Sequence, residues 1–83
     1  MLEIKVFGTG CSNCKKLEDL CNQVVTENDF DASVEKVTDF QLFVENGILR
    51  TPGLMVNGKV LSQGKIPTRE TLAHWLSDSV NNS

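Results

Sequence analysis

The sequence predicts an α/β fold in the order βαβαββα, a four-stranded mixed sheet with three helices. Three observations carry that prediction. A strand-like run, Leu2-Glu3-Ile4-Lys5-Val6-Phe7, is followed after Gly8-Thr9-Gly10 by apolar residues at helical spacing. Asn57-Gly58 stands between two short apolar runs, the dipeptide that a two-residue hairpin turn favours. Pro67-Thr68 then precedes a last stripe with helical period.

Taken in order, the first helix carries Cys14, Leu17, Leu20, Cys21, Val24 and Val25 on one face and ends near Asn28. Asp31 to Val37 alternates in part, as a second strand does. Thr38, with Gln41 three residues on, reads as a capping box opening a short helix that Gly47 ends. Leu54-Met55-Val56 and Lys59-Val60-Leu61 form the hairpin strands. The last helix, started by Pro67-Thr68, shows Leu72, Trp75 and Leu76 and extends its stripe towards Val80. Right-handed crossover makes the first two strands parallel neighbours. Residues 1–80 are expected to form a single domain, and 81–83 a polar C-terminal tail, within a polar end from Ser77 to Ser83 that frays after the last apolar contact.

The totals narrow the function. At 83 residues and 40% hydrophobic content there is one core and no second lobe for a large cofactor, so none is expected. The net charge is −3 and the densest basic cluster is Lys15-Lys16, which gives nucleic acid nothing to bind. The first strand begins at Leu2, leaving no room for a signal peptide, and no apolar run approaches the roughly 18–20 residues that span a bilayer. Three cysteines, an odd number, do not fit a disulfide-stapled secreted scaffold. A cytoplasmic monomer is the expectation.

Chemistry concentrates at Cys11-Ser12-Asn13-Cys14, at the carboxyl end of the first strand and the start of the first helix. Two cysteines two residues apart can close a small disulfide ring, and the helix start supplies partial positive charge that favours a thiolate. Lys15 and Lys16 add positive potential or are simply solvated. Ser12 and Asn13 tune the pair or serve as ordinary first-turn capping residues.

This CxxC position, Thr51-Pro52 immediately before the hairpin, and the element order together resemble the thioredoxin superfamily. The glycines of Gly8-Thr9-Gly10-Cys11 and the pairing of Thr51-Pro52-Gly53 with Val56-Asn57-Gly58-Lys59 are more closely similar to its small redox-active disulfide protein group, a thioredoxin-like and glutaredoxin-like set. The resemblance implies a thioredoxin-like fold and thiol-disulfide oxidoreductase activity, with Cys11 the exposed nucleophile and Cys14 the resolving thiol. It also implies a cis Thr51–Pro52 bond facing the disulfide, whose preceding backbone pairs with an extended substrate segment. The implied partners are a protein disulfide substrate and an unidentified thiol reductase. Two positions depart from typical thioredoxins, Gly10 in place of an aromatic and Lys5 in place of a buried acid. Ser62-Gln63-Gly64-Lys65 lacks the residues with which glutaredoxins hold glutathione, so that dependence does not carry over.

Other chemical candidates are weaker. Cys21 lies on the apolar stripe and reads as a buried inert thiol, while His74 reads as a helix surface residue. Phe40, Phe43 and Trp75 read as core or partial core. No metal ligand set is assigned. The main rival is a small metal chaperone of ferredoxin-like order βαββαβ, using the CxxC pair as thiolate ligands. A non-enzymatic redox sensor or adaptor is the third reading.

Overall fold

The computed structural model describes residues 2–10 and 12–81. The elements run β1 (Leu2–Phe7), α1 (Ser12–Glu27), β2 (Ala32–Val37), α2 (Phe40–Glu45), β3 (Gly53–Val56), β4 (Lys59–Gln63) and α3 (Arg69–Asn81). They build one four-stranded mixed sheet in the order β2-β1-β3-β4. β1 pairs with β2 in parallel and with β3 antiparallel, and β3 pairs antiparallel with β4. The chain is thus α/β and thioredoxin-like in architecture, and ends on a helix where the ferredoxin-like order ends on a strand.

Alternation along β1 divides the interior. Leu2, Ile4 and Val6 face α1 and α3 and are buried with Leu17, Cys21, Val24, Leu54, Val56, Leu72 and Leu76. Phe7 points to the opposite face, where Val37, Phe43, Ile48 and Met55 form a smaller cluster beneath α2. Phe7 and Phe43 meet edge to face at 5.6 Å between ring centroids. Arg69 fastens the start of α3 to the end of α1 through Glu27 (3.4 Å) and Gln23 (3.1 Å).

The hairpin turn has the form its sequence demands: Asn57 and Gly58 both take positive φ, +52° and +82°, as a type I′ turn requires. Asn57 Oδ1 also accepts from the Glu3 N–H at 2.9 Å, tying the turn to β1. β4 continues to Gln63, two residues past the apolar run, with an irregularity opposite Leu54/Met55.

Four expectations are corrected. The cap of α2 is Asp39 and not Thr38: the Asp39 carboxylate accepts from Gln41 N–H at 3.0 Å, because a shorter reach suffices from one residue later. α3 begins at Arg69, and Thr68 is its cap, taking Thr71 N–H at 3.2 Å on its hydroxyl and Leu72 N–H at 2.9 Å on its carbonyl. Pro67 therefore precedes the cap and lies outside the helix. Phe40 is 73% exposed, since the six-residue α2 turns only Phe43 fully inward. The polar end is helical through Asn81, with Ser79 Oγ donating to the Trp75 carbonyl at 3.0 Å, and does not fray after Leu76, the last buried apolar residue. Val80 there is 44% exposed and sits outside the buried stripe.

Helix ends set up the loops that follow. Asp29, at φ +55°, closes α1, with Phe30 N–H returning to the Val25 carbonyl at 3.1 Å. Gly47 does the same for α2 at φ +73°, and Ile48 N–H reaches the Phe43 carbonyl at 2.8 Å. That motif drives Ile48 into the core beside Phe43 and sends residues 49–51 outward.

Candidate functional site

Cys14 lies in the first turn of α1 and is 2% exposed. It is disulfide-bonded, whereas Cys21 is a free thiol. Cys11 lies outside the described residues. Space for the Cys14 sulfur comes from Gly8, at the end of β1: a Cβ built there would overlap Cys14 Sγ and stand 2.6 Å from Cys14 Cβ, closer than real Cβ atoms come. Gly10 takes φ +90°, a conformation costly for any other residue, so the two glycines answer different demands, one of volume and one of backbone.

Around Cys14 the electrostatics favour an anion. α1 is 16 residues long, its first turn carries no acidic side chain, and its N-terminal N–H groups leave partial positive charge at the site. Ser12, Asn13, Lys15 and Lys16 are all exposed on this turn. Lys5 is half-buried in mid-strand, paired in register with Glu35 and Met55.

The second part of the site arrives with β3. The Thr51–Pro52 peptide bond is cis, Pro52 is buried and Thr51 exposed. Phe7 pairs with Gly53 across the antiparallel β1/β3 ladder. Gly8, the residue on which Cys14 packs, follows Phe7 directly in the chain, and Pro52 directly precedes Gly53. The segments that carry Gly8 and Pro52 thus lead away from the same end of the β1/β3 ladder. Gly53 is required for closeness as well, since a Cβ there would stand 3.0 Å from Ile48 Cγ2 and 3.1 Å from its Cδ1.

Sequence reasoning missed the support behind this loop. Gly64 N–H donates to the Pro52 carbonyl at 2.9 Å. Gln63 accepts through Oε1 from Leu49 N–H (2.8 Å) and Arg50 N–H (3.4 Å), and donates through Nε2 to the Gly47 carbonyl (3.2 Å). A glutamine one residue before a glycine has no signal in sequence that it reaches across to a loop 14 residues earlier.

The remaining candidates lie elsewhere. Cys21 is fully buried in the larger core, where desolvation first and the Glu18 charge second push its thiol from 9.0 up to about 12. A thiol so disfavoured as a thiolate is inert. His74 is exposed on α3, 3.8 Å from Asp78 Oδ2. Trp75 is half-buried against the larger core. Among the described residues no group of three or more His, Cys, Asp or Glu side chains could hold a metal ion, and no helix is long and apolar enough to cross a membrane.

A disulfide-bonded cysteine in the first turn of a helix is suited to thiol-disulfide exchange. Comparison with known proteins points the same way. A family model described as a thioredoxin domain matches residues 2–77. A thioredoxin of Methanothermobacter thermautotrophicus is 35% identical over 77 residues, covering 93% of this chain and 100% of that protein. A thioredoxin of Methanocaldococcus jannaschii is 35% identical over 76 residues, covering 92% of this chain and 87% of that protein. With the sheet order, the helix-start cysteine and these matches in agreement, the chain belongs to the thioredoxin domain family.

Proposed function

We propose that this protein is a dithiol-disulfide oxidoreductase in which Cys11 is the nucleophile, Cys14 the resolving thiol and Thr51-Pro52 the substrate-binding segment. The observation that carries the reading is the placement of Cys14: disulfide-bonded and buried against Gly8 in the first turn of α1, where Gly8 leaves the same end of the β1/β3 ladder that Pro52 leads into. In the reducing direction the Cys11 thiolate attacks one sulfur of a substrate disulfide, forming a mixed disulfide and releasing the other sulfur as a thiolate. Cys14, deprotonated, then attacks the Cys11 sulfur, closing the protein disulfide and releasing the second substrate thiolate. The substrate gains two electrons, the protein dithiol loses two, and a thiol reductase restores it.

Burial fits Cys14 for the second step, because a shielded thiol meets only the mixed disulfide formed beside it. Ser12, Asn13 and Lys15, exposed on the same turn, tune the pair through local hydrogen bonds and positive potential. The partners are a protein disulfide and a thiol reductase. One domain over residues 1–80, working as a cytoplasmic monomer, suffices for this chemistry.

Two variants test the roles. Cys11→Ser abolishes reduction of a protein disulfide, and Cys14→Ser stalls at a covalent mixed disulfide detected by mass on a non-reducing gel. Equal residual activity in the two variants refutes the assignment.

A further inference from the structure

We propose that Gln63 is a positioning residue: it holds the Leu49–Thr51 backbone where an extended polypeptide substrate pairs with it, and so selects disulfides carried on a peptide backbone. The inference rests on the reading of Thr51-Pro52 as the substrate-binding segment and adds to it the residue on which that segment depends.

Packing does not hold the loop. Ile48 is anchored in the smaller core, but Leu49 is 89% exposed, and Arg50 and Thr51 are exposed with it. Pro52 is the next buried residue, so three consecutive residues between two anchors are exposed. Polar contacts take that place, and they come from one side chain. The Gln63 amide satisfies two N–H groups, of Leu49 and Arg50, and one carbonyl, of Gly47. Only a side-chain amide of this length both accepts and donates here; a carboxylate lacks the donor and a lysine lacks the acceptor. The partners also fix which end of the amide faces which group.

Gln63 is itself well placed to act as a reference point. It ends β4 in register with Gly53, so its backbone belongs to the sheet that Pro52 leads into. Its neighbour Gly64 binds the Pro52 carbonyl and lies close to Arg50, whose Cβ and Cδ would each stand 3.2 Å from a Cβ at position 64. The clamp leaves one residue of the loop unengaged: among the described residues no hydrogen bond occupies the Thr51 backbone. An extended substrate segment can therefore add to this edge through main-chain hydrogen bonds. A small disulfide with no peptide backbone makes no such bonds and is indifferent to where Thr51 sits.

The test compares wild type with Gln63→Met, which keeps length and volume but removes the amide, and Gln63→Ala. Steady-state reduction is measured with dithiothreitol as reductant on two probes, insulin and hydroxyethyl disulfide, and amide hydrogen exchange is followed at Leu49 and Arg50. Both variants are expected to speed exchange at those two amides and to lower kcat/KM for insulin by about 10-fold or more, chiefly through KM, since small displacements of a positioning group carry costs up to about 100-fold. Hydroxyethyl disulfide should change by less than about twofold, as expected when the dithiol and its helix are untouched. Unchanged exchange overturns the clamp. Faster exchange with both probes falling in parallel, or with neither falling, overturns the positioning role. A wild-type protein that reduces hydroxyethyl disulfide but not insulin overturns the substrate-binding reading of Thr51-Pro52 itself, a result distinct from either.

Discussion

The two faces of the sheet are built to different standards. On one, α1 and α3 cover Leu2, Ile4, Val6, Leu54 and Val56 with Leu17, Cys21, Val24, Leu72 and Leu76, all at 2% exposure or less. On the other, the six-residue α2 and Ile48 cover Phe7, Val37 and Met55, and leave Phe40, Val44 and Leu49 exposed at 73%, 64% and 89%. The well-covered face fixes the start of α1, and with it Cys14, against Gly8. The thin face carries the loop to Pro52, which hydrogen bonds from β4 must hold because packing does not. Where a site needs a fixed sulfur it uses the deep core; where it needs an open edge it uses a segment held by polar clamps.

Cys14 and Cys21 show the same contrast within one helix. They lie seven residues apart on one buried stripe, yet one is disulfide-bonded in the first turn beside Gly8 and the other is a free thiol within the larger core. Position along the helix, and not the kind of residue, separates chemistry from packing.

The largest expected effect probes the deep face. Leu17→Ala should cost about 2–5 kcal/mol in denaturant unfolding, because a fully buried leucine between α1 and the sheet leaves a cavity. A cost no greater than that of an exposed thin-face change would break the distinction. Next is the pH dependence of Cys21. Its folded-state thiol is raised to about 12 from 9.0, so below pH 9 both states hold the proton and stability is unaffected. Between pH 9 and 12 the unfolded chain releases the proton while the folded one keeps it, so stability falls as pH rises, by up to about 1.4 kcal/mol per pH unit. Subtracting the same titration of Cys21→Ala isolates this slope; parallel curves would show that Cys21 is not in a desolvated site. The smallest effect is Phe40→Ala, which should change stability by about 0.5 kcal/mol or less, since its ring is mostly in water. A loss of several kcal/mol in thermal unfolding would mean that α2 covers more than its exposure indicates.

Much of this was legible in the residues. Alternation in Leu2–Phe7, the Cys14-Leu17-Cys21-Val24 stripe and Asn57-Gly58 each encode an element through local physics, period or left-handed backbone, and each element stands where those signals put it. Element ends were less legible. Thr38 and Asp39 are both competent caps, and the choice depends on where the chain leaves β2. Phe40 and Phe43 have equal hydrophobicity, and only the packing of the six-residue α2 on the smaller core decides which one is buried.

The sequence by itself determined the order of elements, the turn and the dithiol at a helix start, because period, positive φ and the helix dipole act within a few residues. Only the tertiary structure decided that Gly8 is a seat for Cys14, that Gly8 and Pro52 flank the same end of the β1/β3 ladder, and that Gln63 hydrogen-bonds the loop before Pro52. Those relations join residues far apart in the chain, and strand register and close packing, which no local signal encodes, bring them together.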